Sequence, residues 1–279
     1  MKATVFRGAV AIVTGGASGF GRGLAAELAR RGARVVVADV DLAGARETTE
    51  AIAAAGGEAE ALALDVTDEA AFRSLVEDVA SRRGRLDILV NNAGLGVEGE
   101  VAAIPLAHWE RIFAVNFWGV LHGTRAAWAV MLRQGAGHIV NVASLAGLLP
   151  TPLGAPYAAT KYAVVGLTAS VRLEGRDLGI RATAVCPGFI TSRIFENALY
   201  TDMTKDELLA LNRFRFLSAD DADAPKAMIS KLRTFTGWYT HGLPNGAELR
   251  RRIASLGSPQ AFLDAVEDFF AIHAARAAA

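Results

Sequence analysis

A short apolar run, Ala9-Val10-Ala11-Ile12-Val13, breaks directly into Thr14-Gly15-Gly16-Ala17-Ser18-Gly19-Phe20-Gly21. No other junction in the chain constrains the fold as tightly. The run reads as a buried strand over 10–14, and the glycine-rich turn after it leads into a helix from about residue 21 to 31, with Gly32 at its C-cap. Glycines let the backbone approach a pyrophosphate, and the helix amino terminus offers unpaired N–H groups and a positive dipole end to phosphate charge. A glycine cluster by itself is often only a turn. Its position after a first strand, together with the next acidic residue, favours the nucleotide reading.

That acidic residue is Asp39, at the end of the apolar segment Arg34-Val35-Val36-Val37-Ala38. There a carboxylate accepts hydrogen bonds from adenosine ribose hydroxyls; a helix cap is its other reading, although Asp41 can fill that role. Further strands are expected at 59–64, 86–90, 137–143 and 180–186, with helices at about 43–55, 106–134 and from just before Tyr157 to about 176. A strand across 234–240 brings the sheet to seven. The expectation is a doubly wound α/β fold of Rossmann type, with a parallel seven-stranded sheet and helices on both faces. No Pro/Ser-rich or charged linker divides the 279 residues, so a single domain over 1–279 is expected.

The second informative stretch runs from Ser144 to Lys161. Tyr157 and Lys161 stand four residues apart, on one face of a helix and one turn from each other. An ammonium beside a phenol favours phenolate, and this lowers a tyrosine pKa that is otherwise near 10, too high for a general base at neutral pH. Ser144 follows an apolar run that reads as a strand, which places its hydroxyl at a carboxyl end. Alone, a Tyr-x-x-x-Lys pair more often marks a packed ring beside a solvated charge.

Taken together, Thr14 to Gly21, Asn91-Asn92-Ala93-Gly94, Asn116, Ser144, Tyr157-Ala158-Ala159-Thr160-Lys161 and Pro187-Gly188 make the chain resemble the short-chain dehydrogenase/reductase family in its compact form. Gly15, Gly19 and Gly21 keep that family's G-x-x-x-G-x-G spacing. The resemblance implies hydride transfer between NAD and a secondary alcohol or ketone. Tyr157 then exchanges the proton, Lys161 lowers its pKa and holds the nicotinamide ribose, Ser144 bonds the substrate oxygen and Asn116 holds a relay water. It also implies cofactor contacts from Gly15, Ser18, Gly19, Phe20 and Gly21, from Asp39, from Asp65 and Val66 at the adenine, from Asn92, Ala93 and Gly94, and from Pro187, Gly188, Ile190 and Thr191 at the carboxamide. Capping is the alternative for Asp65 and Thr191, turn formation for the Asn-Asn-Ala-Gly segment, and a helix-to-helix bond for Asn116. NAD is expected over NADP, because Asp39 repels a 2′-phosphate, Ser18 carries no charge, and Arg22 and Arg46 read as solvated helix residues.

Composition excludes several other classes. Hydrophobic residues at 52% against 21% charged give material for a large core. Twenty-nine basic and 29 acidic residues leave no net charge to draw nucleic acid or an anionic membrane, so neither is expected as a partner. The run 9–13 is too short for a signal-peptide core, and no stretch approaches a membrane span. A lone cysteine, Cys186, excludes an intramolecular disulfide and, with the absence of a signal core, suggests the cytoplasm. His241 and His273 are too isolated for a metal site. The apolar residues in 192–217 suggest a lid of one or two short helices over a largely apolar substrate, and 222–279 a carboxyl-terminal extension with a basic cluster that reads as a solvated face. The family resemblance further implies a homodimer or homotetramer. An isomerase or dehydratase using NAD transiently, and a nucleotide-sensing protein without turnover, are the rival readings.

Overall fold

β1 (Val10–Thr14) is buried at every position, as expected of a strand covered on both faces. Its side chains alternate between two cores. Val10 and Ile12 enter a cluster with Phe72, Val76, Val79, Val130 and Met131, whereas Ala11 and Val13 enter one with Ala25, Ala29, Ala45 and Ile52 on the other face. These helical residues belong to α1 (Gly19–Arg30) and α2 (Leu42–Ala54) on one side, and to α3 (Glu69–Arg83) and α5 (Gly119–Gln134) on the other. The remaining sheet strands are β2 (Arg34–Asp39), β3 (Glu58–Ala63), β4 (Ile88–Asn91), β6 (Gly137–Val142) and β7 (Ile180–Val185). Between them lie the two-residue β5 (Val97–Glu98), α4 (Leu106–Phe113) and α6 (Ala155–Glu174).

The computed structural model describes residues 6–188, 194–212 and 246–254, with 256, 258, 261, 264 and 265 besides. Among them the main sheet is parallel with order β3-β2-β1-β4-β6-β7. The chain winds outward from β1 to β3 and then crosses to β4 on the other side. The strand order therefore reverses between β1 and β4, where doubly wound sheets open a crevice at their carboxyl ends. The β3 edge is blunted by charge: Glu58 and Glu60 pair with Arg82 and Arg83 at 2.7–3.2 Å.

The described sheet has six strands where the sequence suggested seven, because the expected seventh, at 234–240, lies outside the described residues. The helix expected over 106–134 is continuous in position but not in winding: α4 passes through a π-helical turn, Ala114–Trp118, before α5 begins. Within 192–217, β8 (Leu199–Tyr200) pairs in parallel with β5 ahead of α7 (Lys205–Asn212), a strand that a two-residue stretch gives no periodicity to announce. The chain divides into two compact units, Met1–Arg215 and Phe216–Ala279. In the second, helix Gly246–Ala254 buries Leu249 and Ile253 with Ala265.

Phe72 is fully enclosed between α3, α5 and the sheet. Phe72→Ala should therefore destabilise the first unit by about 3–5 kcal/mol, read from the urea midpoint. A loss under about 1 kcal/mol would show that this core collapses around the gap.

Candidate active site

The crevice is built on one hydroxyl. Thr14, the last residue of β1, accepts the N–H groups of Asn92 and Ala93 at 3.0 and 3.1 Å and donates to the Val90 carbonyl at 3.4 Å. The Asn92 amide returns to the carbonyls of Thr14 and Gly15 at 2.9 and 3.1 Å. These bonds join the glycine turn to the Asn-Asn-Ala-Gly turn, and the packing leaves no room for side chains. A Cβ on Gly21 would lie 2.2 Å from the Gly15 carbonyl oxygen, and Gly15 itself has φ +65°. At the start of α1, Ser18 makes no side-chain capping bond and the first turn holds no acidic residue. The first N–H groups and positive dipole end are thus left to an anion.

At the far end of the crevice, Asp39 accepts the N–H of Ala17 and of Asp41, both at 2.9 Å. Asp41 caps α2 through Gly44 at 3.0 Å. Asp65 accepts from the Thr67 N–H and hydroxyl, and these bonds hold its carboxyl below the usual range, while Asp68 caps α3. Arg22 is less solvated than expected from sequence. Its guanidinium spans the turn to the Ala17 carbonyl at 2.6 Å and pairs with Glu47 at 3.2 Å.

Ser144 stands two residues past the end of β6, and its hydroxyl accepts the Ala146 N–H at 3.1 Å. Tyr157 and Lys161 project from the first two turns of α6. The Lys161 ammonium is buried, donates to the Val142 carbonyl at 2.9 Å and lies 5.5 Å from the centre of the Tyr157 ring. Asn116 is fully buried where the helix winds in the π register. Its amide exchanges bonds with both backbone groups of Leu95 at 2.9 Å and donates to Thr160 at 3.3 Å. The helix-to-helix bond foreseen for it is present through Thr160 on α6. Thr160 accepts that bond and donates to the Tyr157 carbonyl at 2.7 Å.

One cavity of about 610 Å³ takes in both ends. Its wall includes Gly15, Ser18, Gly19, Phe20, Gly21, Asp39, Asp65, Val66, Asn92, Ala93, Gly94, Ser144, Tyr157, Lys161, Pro187 and Gly188. Asn116 stands behind this wall, 3.2 Å from where a Cβ on Gly94 would sit. Ile190 and Thr191 lie outside the described residues.

The family model described as short chain dehydrogenase matches residues 9–202. The chain belongs to that family. Similarity is spread over many members. A Mycobacterium tuberculosis protein named "Probable oxidoreductase EphD" is 39% identical over 183 residues, 65% of this chain and 31% of that protein. The chain thus spans about a third of the length of this relative. A short chain dehydrogenase/reductase from Burkholderia phymatum, solved with NAD, is 33% identical with TM-score 0.71, covering 81% of this chain and 85% of that one. A Beutenbergia cavernae structure with bound NADP is 30% identical with TM-score 0.66, covering 81% and 82%. Relatives of this fold therefore bind NAD or NADP. No helix among the described residues is long and apolar enough to cross a membrane, and no cluster of three or more His, Cys, Asp or Glu residues there is placed to hold a metal.

Within this member of the family, the titrating groups depart from the sequence expectation. Lys161 was expected to lower the Tyr157 pKa, yet the pocket's own groups push the phenol up to about 12. Burial is the main cause, a hydrogen bond from Ser144 offsets part of it, and the charge of Glu98 adds to it. Burial also brings Lys161 down to about 8. Glu98 belongs to none of the motifs read from the sequence. In the fold it is 6% exposed, and burial raises its carboxyl to about 8. Glutamate in a two-residue strand carries no sequence signal of burial.

Because the folded Glu98 carboxyl holds its proton to about pH 8 against 4.5 for an ordinary hydrated glutamate, the folded state binds the extra proton between those values, and stability falls as pH rises through that window. Wild-type protein should therefore lose stability relative to Glu98→Gln from about pH 5 to 8, by up to about 1.4 kcal/mol per unit, and then level off. Urea midpoints of both proteins across this range test it. A difference independent of pH would mean that the carboxyl is hydrated and ordinary.

Proposed function

We propose that the protein is an NAD-dependent oxidoreductase acting between a secondary alcohol and its ketone, on substrates of largely apolar character. The observation that carries this reading is the meeting of Ser144, Tyr157 and Lys161 in one cavity with the uncapped start of α1 and the Asp39 carboxylate. The described residues fit a dinucleotide from its adenine to its second ribose. Backbone N–H groups of Ser18 to Gly21 would hold the pyrophosphate, Asp39 the adenosine ribose, Asp65 and Val66 the adenine, and Asn92 to Gly94 the wall beside the second ribose. When bound, oxidised NAD supplies the hydride acceptor and a positive ring whose charge favours phenolate.

The chain's own groups handle the oxygen and its proton. Ser144 hydrogen-bonds the substrate oxygen and Tyr157 takes or gives the proton there. The Lys161 ammonium spends one N–H on Val142, which fixes its direction and leaves two for a ribose hydroxyl and the phenol side. Asn116, with its side-chain amide engaged by Leu95 and Thr160, sets the distance between the Gly94 turn and α6. A water relay from Lys161 has to run past these bonds. Leu149, Ile194, Phe195 and Leu208 line the substrate side, which supports an apolar substrate and a covering role for 192–217. Trp118, Tyr162 and Leu173 are exposed on the long helices, which supports their pairing between copies.

Tyr157→Phe should leave NAD affinity within a few-fold while lowering turnover by roughly 10²–10⁴. NADH formation with a panel of secondary alcohols, beside calorimetric NAD binding, measures both. Turnover near that of wild type would remove Tyr157 from the chemistry, and turnover without net NADH would turn the reading to an isomerase.

NAD should be preferred over NADP by roughly 10- to 10³-fold in kcat/KM. A 2′-phosphate about 4 Å from Asp39 meets repulsion of up to about 4 kcal/mol per charge pair at an effective dielectric near 20, and screening reduces this. Arg22, tied to Ala17 and Glu47, is not poised to neutralise it. Asp39→Ser should erode the preference mainly by admitting NADP. Equal efficiency with both cofactors in the unmodified protein would overturn the assignment.

A further inference from the structure

Four carboxyl groups line the described part of the cavity, and three are accounted for. Asp39, Asp41 and Asp65 stand at the adenosine end, each accepting backbone N–H bonds. Glu98 is the fourth and differs in every respect. It sits on β5, whose backbone is fixed by the Leu199 N–H to Gly96 and the Thr201 N–H to Glu98, both at 3.0 Å. Its neighbour in the strand, Val97, belongs to an apolar cluster with Ile104, Ile112 and Leu199 that also contains the Tyr157 ring. Its Oε2 comes within 3.0 Å of a Cβ built on Gly154, one turn before Tyr157 at the start of α6. Among the described residues its carboxyl makes no hydrogen bond and no ion pair, although the side chain is more than nine-tenths buried.

A buried carboxyl without a partner is costly, most of all when ionised, and a hydrogen bond left unmade there is a loss even for the neutral form. Glu98 borders the cavity, so the group that satisfies it comes from whatever fills the cavity. We propose that Glu98 is a specificity-determining residue that hydrogen-bonds a second oxygen function of the substrate, which makes the preferred class apolar-framed diols and hydroxyketones. This rests on the alcohol/ketone reading above and names its substrate. The partner is a neutral hydroxyl, not an ammonium. Burial keeps the carboxyl protonated at neutral pH, so that it both donates and accepts, as a hydroxyl does. An ammonium would bring a second desolvated charge into the same apolar wall.

The test compares wild type, Glu98→Leu and Glu98→Gln on cyclohexanol and the 1,2-, 1,3- and 1,4-cyclohexanediols with NAD. The readout is the ratio of kcat/KM for the best diol over cyclohexanol, which does not depend on how much of each variant is folded. The same compounds are titrated calorimetrically into NAD-saturated Tyr157→Phe with and without the Glu98 substitutions. The wild-type ratio should exceed roughly 10, fall roughly 10- to 10²-fold in Glu98→Leu, and stay within about threefold in Glu98→Gln, which keeps a donor and an acceptor. A ratio of one in wild type, or one unchanged in Glu98→Leu, overturns the proposal. Loss in Glu98→Gln equal to that in Glu98→Leu overturns the neutral form. If no alcohol yields NADH, the oxidoreductase reading falls, and the calorimetric ratio still decides the role of Glu98.

Discussion

The clasp between Thr14 and Asn92 holds the rest of the site in place. A parallel sheet gives no direct bond between the loops that leave two neighbouring strands, so the crevice at the reversal of strand order is open unless something closes its floor. Here one hydroxyl uses all its capacity on the β4 side, and one amide returns the bonds to the β1 side. The glycine turn can then lie against Asn92 and Ala93 at backbone distance, and α1 starts with its N–H groups directed along the cavity. Asp39 extends the same logic to the far end of the crevice by bonding Ala17, a residue of the turn itself. The glycine-turn half of the site is a folded backbone surface, and its side chains serve mainly to hold that backbone.

The other half works by opposed burial costs. A phenol, an ammonium and a carboxyl share one poorly hydrated wall, and burial disfavours the charged form of each. Tyr157 is held firmly protonated at rest, Lys161 is brought close to its titration range, and Glu98 is kept neutral. A positive charge arriving in the cavity acts on all three in the same sense, favouring phenolate and carboxylate and disfavouring ammonium. The protonation state of such a wall is set by the occupant together with the Tyr–Lys spacing, which is a more demanding arrangement than a fixed ion pair.

The π turn at Asn116 serves the same end. One extra residue in the helical register aims an amide from a helix into the loop after β4, where Leu95 offers both a donor and an acceptor. The third bond, to Thr160, ties that helix to the one carrying Tyr157 and Lys161. The two long helices and the Gly94 turn are thereby referenced to a single buried side chain, and the space between Gly94 and the Lys161 ammonium is held at a fixed width.

Much of this protein was legible in its sequence, for reasons that are local. A run such as Val10 to Val13 has to be buried on both faces, glycines at 15, 19 and 21 have to form a close turn, and a Tyr and a Lys four apart share a helical face; each follows from chemistry within a few residues. The order of such units set the winding of the sheet and brought Gly15, Asp39, Asn92 and Ser144 to one cavity. Quantities that depend on what lies across space were not legible. The Tyr157 pKa moves upward because the surrounding wall is dry, Arg22 is drawn to Glu47 from the next helix, and the π register costs nothing in apolar pattern. Above all, Glu98 is an ordinary acidic residue in the chain and becomes a buried carboxyl without a partner among the described residues where β5 pairs with β8, a contact across about a hundred residues that no periodicity encodes.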